Sequence, residues 1–277
     1  MPSFKTATQH RLHMPTTPPE RPSPEGLRFN IARFKRPRFD RLDALRGVAI
    51  VWMTVYHFCF DLNQYKWITQ NFYRDPLWTW QRTCILSLFL LCAGAGQAVA
   101  LHQGQTWPRF WKRWVQIVAC ALLVSIGSYV MFPQSFIYFG VLHGIAAMLI
   151  IVRLTVHWNA WLWPAGALAI ATKFIAEYAI STVPGLQFLN QNWFNWLGFI
   201  SHKPITEDYV PLIPWLGVMW WGMAAMQWLL KNHLALVTGS VPSSARWLAF
   251  LGTWSLAWYM LHQPVMIGTF ELILRLR

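Results

Sequence analysis

Seven stretches of this chain, roughly residues 44–62, 83–101, 114–132, 136–153, 158–178, 211–230 and 247–270, stay mostly apolar over a span-length run. A helix needs about 20 such residues to cross a bilayer. That pattern leaves little freedom. Inside lipid no water satisfies backbone N–H and C=O groups, so a spanning segment must bond them internally, and a single segment does so only as a helix. The predicted fold class is therefore all-α, a polytopic transmembrane helix bundle of about seven spans surrounded by membrane lipids. Composition agrees: 55% hydrophobic, 12% charged and 16% aromatic residues is too apolar for a water-soluble domain, and the rings suit interfacial belts and helix contacts. Residues 185–200, GLQFLNQNWFNWLGFI, are aromatic but rich in Asn and Gln, and read as an interfacial or re-entrant segment rather than a further span.

A net charge of +13 suggests a nucleic-acid binder until its distribution is read. Ten of the 23 Lys and Arg fall within residues 1–46, and the 13 that follow, beside six acidic residues, lie mostly between apolar runs. No basic groove for DNA or RNA remains. Residues 1–40, with seven prolines and no apolar periodicity, read as a disordered cytoplasmic Pro/Arg-rich tail, and 41–277 as the membrane domain. The tail is too long and too rich in Pro for ordinary signal cleavage, which makes the first apolar run an uncleaved anchor. Lys and Arg counted on alternate sides number 16 against six, which places the N-terminus in the cytoplasm and the C-terminus outside. Cys59, Cys84, Cys92 and Cys120 show no CxxC spacing, so neither a disulfide framework nor a metal site is expected.

Ionisable residues within spans are costly and mark sites. Three histidines qualify: His57 on the first run, His143 early in the fourth and His262 late in the seventh. With alternating span directions and about 1.5 Å per residue, all three reach the outer half of the bilayer. Asp61, Asp208, Gln263 and Arg82 fall at the same level, which predicts one extracytoplasmic polar pocket. His57 and Asp61 stand at i and i+4, on one helix face, where a carboxylate can hold an imidazole in the tautomer that acts as a base. Arg46 precedes His57 by 11 residues, just over three turns, so both share a face about 16 Å apart along the axis.

That spacing suits group transfer across the membrane, with a cationic anchor for a phosphorylated carrier inside and a base near the acceptor outside. A cytosolic acyl-CoA is the obvious carrier, and Arg109, Lys112 and Arg113 lie on the same side, where they also serve as topology determinants. No Walker loop, GxGxxG or GxSxG occurs, which removes support for nucleotide hydrolysis, dinucleotide redox and soluble-hydrolase chemistry. Lys173 and Glu177, again i and i+4, read as a structural ion pair. The small residues of CAGAGQA, Cys92 to Ala98, read as a helix contact.

Four blocks carry a family resemblance: RLDALRGVAIVWMTVYHFCFDL (Arg41 to Leu62), FGVLHGIA (Phe139 to Ala146), DYVPLIPWLGV (Asp208 to Val218) and SLAWYMLHQPVMIG (Ser255 to Gly268). Together, in this order, they resemble bacterial membrane proteins grouped with the catalytic domain of heparan-alpha-glucosaminide N-acetyltransferase, within the transmembrane acyltransferases. The resemblance implies acetyl-CoA-dependent transfer of an acetyl group to a sugar amine or hydroxyl on the far side of a bacterial inner (plasma) membrane, with the C-terminus periplasmic. Taken together with the residue pattern above, it leads to catalytic positions at His57, oriented by Asp61, with His143 and His262 positioning the acceptor. Asp208, Trp215, Gln263 and Arg82 fall to a small-molecule or glycan acceptor, with Trp215 walling the pocket and stacking on a sugar. Arg46, Arg109 and Arg113 fall to the donor. The lysosomal enzyme of the family has its active histidine after the first span, where this chain reads YRDPLWTWQRT (Tyr73 to Thr83) without one, so His57 takes that role here. No metal is implied, and homo-oligomerisation is left open. The competing readings are a proton-coupled transporter or channel with buried histidines, against which the absence of internal repeats argues, and an envelope scaffold protein.

Overall fold

The computed structural model describes residues 38–276, so all but the last residues of the tail expected over 1–40 lie outside the described residues. The described residues form nine α-helices joined by turns and short 3-10 segments, with no strand among them. They are α1 (Asp40–Gln64), α2 (Pro76–His102), α3 (Trp107–Met131), α4 (Val141–Leu154), α5 (Leu162–Thr182), α6 (Leu212–Asn232), α7 (Leu234–Val237), α8 (Arg246–Thr253) and α9 (Ser255–Arg275). Local chemistry sets several starts. Pro76 and Pro108 occupy first-turn positions where no amide hydrogen is needed, and Asp75 caps α2 by accepting from the Leu77 amide at 2.9 Å.

The helical class is as expected, but the seven-span count is not established. By length and composition α1, α2 and α3 can cross a membrane, and a fourth span results if α4 and the helical segment 156–182, bent by 100° at their junction, count as one. Trp215, Trp220, Trp221 and Trp228 lower the hydropathy of α6, and His262, Gln263 and Glu271 lower that of α9. The run expected at 247–270 is broken: α8 ends at Thr253, and Trp254 separates it from α9. Residues 184–190 and 195–197 form 3-10 turns and no span-length helix.

Close glycine contacts fix the packing. A Cβ at Gly94 of α2 would strike the Met219 carbonyl of α6, and one at Gly222 would strike the Leu91 carbonyl. The α2–α6 crossing so made carries buried Leu90, Met219 and Met223, and Met148 and Val152 of α4 join the same core. Gly47 and Gly252 bring α8 against the first half of α1 in the same way. α9 instead runs parallel to the second half of α1: Trp258 bonds Thr54, Gln263 bonds Asp61 and Tyr65 bonds Glu271.

Two ends follow, here called proximal, where α1 begins, and distal, where it finishes. At the proximal end Arg153, 5% exposed, donates to the Gln105 carbonyl at 2.6 Å and stacks over Trp107 and Phe110, tying α4 to the α2–α3 turn. The ion pair expected between Lys173 and Glu177 does not form. Lys173 Nζ lies 5.6 Å from the Phe174 ring centroid instead, because an exposed pair gains little over ring contact and solvent.

Candidate functional site

The parallel course of α1 and α9 places their polar residues rung by rung. The His57 and His262 ring centroids are 5.1 Å apart. One turn beyond, Asp61 Oδ1 accepts from Gln263 Nε2 at 2.7 Å. The carboxylate expected to orient His57 is thus turned to α9, and no hydrogen bond joins Asp61 to His57 among the described residues. The reason is geometric: residues at i and i+4 share a face, but a partner helix along that face offers a closer donor.

His262 has the better-defined tautomer. Its Nδ1 stands 2.8 Å from the Tyr259 carbonyl and 3.2 Å from that of Trp258. Carbonyl oxygens only accept, so Nδ1 carries the hydrogen and Nε2 keeps its lone pair. That Nε2 is buried and has no partner. A buried acceptor left open beside a second imidazole is a place where a substrate proton can go. His262 is followed within two residues by Pro264, which has no amide hydrogen and leaves the Met260 carbonyl without its helical donor.

His143 is set apart. Its Nδ1 accepts from the Gly140 amide at 3.4 Å, while its Nε2 meets Ser125 Oγ at 3.1 Å. Ser125 already donates to the Ile137 carbonyl at 2.6 Å, so the histidine is the donor in that contact. Both ring nitrogens therefore serve the α3–α4 junction. Asp208 belongs to the same junction: its Oδ2 accepts from the Val141 amide at 2.7 Å and caps α4, and Gly140 leaves it the room. Burial raises the Asp208 carboxyl above its ordinary range, opposed by the Val141 amide and by the charges of Lys203 and Arg82. Desolvation, with Arg82 nearby, lowers the Lys203 ammonium, against the pull of Asp208 and Glu207. Arg82 is exposed at the distal face among these groups, and Trp215 is half-buried against the main core.

Of the expected polar pocket, then, His57, Asp61, His262 and Gln263 come together in one seam, with Asp208, Lys203 and Arg82 in a neighbouring charged cluster and His143 in the α3–α4 junction. Asp61 and His262 are buried in the seam, and His57 and Gln263 are half-buried. Two surface concavities lie elsewhere, one of about 370 Å³ lined by Asn63 and residues 69–73, the other of about 390 Å³ between α1, α8 and Trp258. Tyr259 and Lys203 were not singled out from the sequence. Tyr259 touches the His262 ring, with centroids 5.8 Å apart, and is within electrostatic reach of Asp208. Its place one turn before His262 was the available signal.

At the proximal end Arg46 Nη1 holds Asp43 Oδ1 at 2.6 Å, and Nη2 points toward the Cys92 carbonyl at 3.5 Å. The guanidinium lies directly over Gly96, where any Cβ would collide with it, so CAGAGQA does more than bring helices together. Arg113 is within electrostatic reach of both Arg46 and Asp43, and Arg109 and Arg113 are exposed on the first turns of α3. Arg46 has donors to spare, and this cationic group fits a polyphosphate. Among the described residues no cluster of His, Cys, Asp and Glu has the composition of a metal site.

No curated protein and no solved structure matches the chain. The family model described as heparan-alpha-glucosaminide N-acetyltransferase, catalytic, matches residues 38–264. That span takes in α1 through the His262 turn of α9, both helices of the imidazole seam and the arginines of the proximal end, and the chain belongs to this family of membrane acetyltransferases.

Proposed function

We propose that this protein transfers an acetyl group from acetyl-CoA, taken up at the proximal cytoplasmic end, to an amine or hydroxyl of a sugar at the distal face of a bacterial inner membrane. The observation that carries this reading is the free, buried Nε2 of His262 beside His57 in a chain of this family. Arg46, with Arg109 and Arg113, meets the phosphates of the donor, and its position about 16 Å from His57 along α1 matches a carrier whose acyl end reaches inward. Acetyl-CoA supplies the activated thioester. His262 Nε2 accepts the proton of the attacking amine or hydroxyl, the new C–N or C–O bond forms as the C–S bond breaks, and the thiol leaves with a proton. His57, neutral, has one N–H to offer the oxygen that gains charge in the transition state. Asp208, Lys203 and Arg82 frame the distal approach for the acceptor.

The test is incubation of the purified protein in lipid with acetyl-labelled acetyl-CoA and a panel of amino sugars, glycans and envelope lipids. Label is expected in an acceptor. His57→Ala is expected to reduce the transfer rate by about tenfold or more, with insertion and folding intact. Normal turnover in that variant removes His57 from the reaction. Uptake of solute by proteoliposomes without any acyl donor would favour the transporter reading instead.

A further inference from the structure

The seam between α1 and α9 holds an arrangement that the transfer reaction does not use. Asp61 is 3% exposed among the polar groups of the seam, and no cation pairs with it among the described residues. Its Oδ1 is bonded to Gln263 Nε2. Its other oxygen, Oδ2, is buried without a partner, and so is Oε1 of the same glutamine. If the carboxyl is ionised, both orphaned atoms are acceptors, and an uncompensated negative charge sits where water is scarce. One proton removes both defects. A carboxylic acid and a primary amide match at two points, the amide N–H on one acid oxygen and the acid O–H on the amide oxygen.

We infer that Asp61 carries a proton on Oδ2 and donates it to Gln263 Oε1, and that the resulting acid–amide pair holds α9 on α1 so that His262 stays against His57. Asp61 and Gln263 are then positioning residues, one a turn beyond His57 and the other next to His262, acting through the imidazoles rather than on a substrate. Neither imidazole bonds Asp61. The other titratable neighbours, Tyr65 and Glu271, bond each other at 3.0 Å about one turn further out, and Glu271 adds negative charge rather than neutralising it. Only the role of the pair toward His262 rests on the transferase reading; the proton itself does not.

Infrared spectroscopy of the full chain in lipid decides the proton. Wild-type protein at neutral pH is expected to show the carbonyl stretch of a protonated carboxylic acid, shifted in D₂O and absent from Asp61→Asn. A spectrum in which Asp61→Asn removes carboxylate absorption instead overturns the inference. The positioning role is read by rescue. Asparagine presents an amide that makes the same two bonds, so Asp61→Asn is expected to keep acetyl transfer within about threefold of wild type, whereas Asp61→Ala, which loses both, falls about tenfold or more. An asparagine variant as impaired as the alanine variant shows that the charge, not the pair, is what the site requires, and overturns it. Failure of wild-type protein to acetylate anything defeats the proposed function alone, because the infrared result still stands.

Discussion

The two histidine-bearing regions of the distal half make opposite use of the same side chain. At the α3–α4 junction both nitrogens of His143 have partners, Ser125 is satisfied by His143 and Ile137, and Asp208 is spent on capping α4. In the α1–α9 seam Nε2 of His262 is buried without a partner, and His57 makes ring contact only with its neighbours. Saturated polar groups in an apolar interior hold a structure together, and each missing partner costs it stability. Groups left open do the reverse, and are tolerated where something else binds. The presence or absence of a local partner separates the two regions.

Exchanging the two histidines for alanine tests that division, and the largest effect is expected in the seam. His262→Ala removes the proton acceptor, so transfer should drop by about 10²–10⁴-fold, with the thermal midpoint nearly unchanged. His143→Ala is expected to show the reverse: unfolding made easier by about 1–3 kcal/mol, since it leaves the Gly140 amide without its acceptor and removes one of the two bonds of Ser125 Oγ, with transfer per folded molecule reduced only a few-fold. Rates normalised to folded protein, with denaturation followed by tryptophan fluorescence, separate the two. Equal kinetic losses from both variants would dissolve the contrast.

The proximal end sharpens the same argument by a smaller amount. Arg46 reaches across α2 because residue 96 has no side chain. In Gly96→Ala the new methyl displaces the guanidinium, and the KM for acetyl-CoA is expected to rise about tenfold, the scale of one lost charge-assisted contact, while kcat changes little. A matching rise in the KM of the acceptor alone would mean that Arg46 faces the wrong substrate.

Much of this organisation was legible in the residues. The apolar runs marked where most of the helix lies, and they put His57 and His262 at one level, where the parallel course of α1 and α9 brings them together. The Arg46–His57 spacing is intrinsic to one helix and could be read without knowing any neighbour. What could not be read was which helix faces which. The i, i+4 spacing of His57 and Asp61 is real, yet Asp61 turns to Gln263, more than 200 positions later in the chain, and that choice depends on α9 lying along α1. The same holds for His143, whose partners come from α3 and from the turn before α4. The break at Trp254 was hidden because apolar residues continue on both sides of it. It arises where α8 must lie against Gly47 while α9 follows α1 outward.

The smallest effect concerns the charged frame around the saturated junction. Lys203 is exposed at the distal face, and its ammonium is destabilised by desolvation and by Arg82, with Asp208 and Glu207 opposing. A lysine so placed releases its proton at lower pH, and the neutral amine is the nucleophile. At a pH slightly above neutral, Lys203 should therefore react with an amine-directed acylating reagent faster than lysine in a model peptide, as read by mass spectrometry of the labelled chain. The sign is checked by its neighbours. Arg82→Gln removes a positive charge and should slow the labelling; Asp208→Asn removes a negative one and should speed it. Neither change should alter the His57–His262 contact, so if Arg82→Gln abolishes transfer while labelling stays fast, the charged frame acts on the acceptor directly and the two regions are one site.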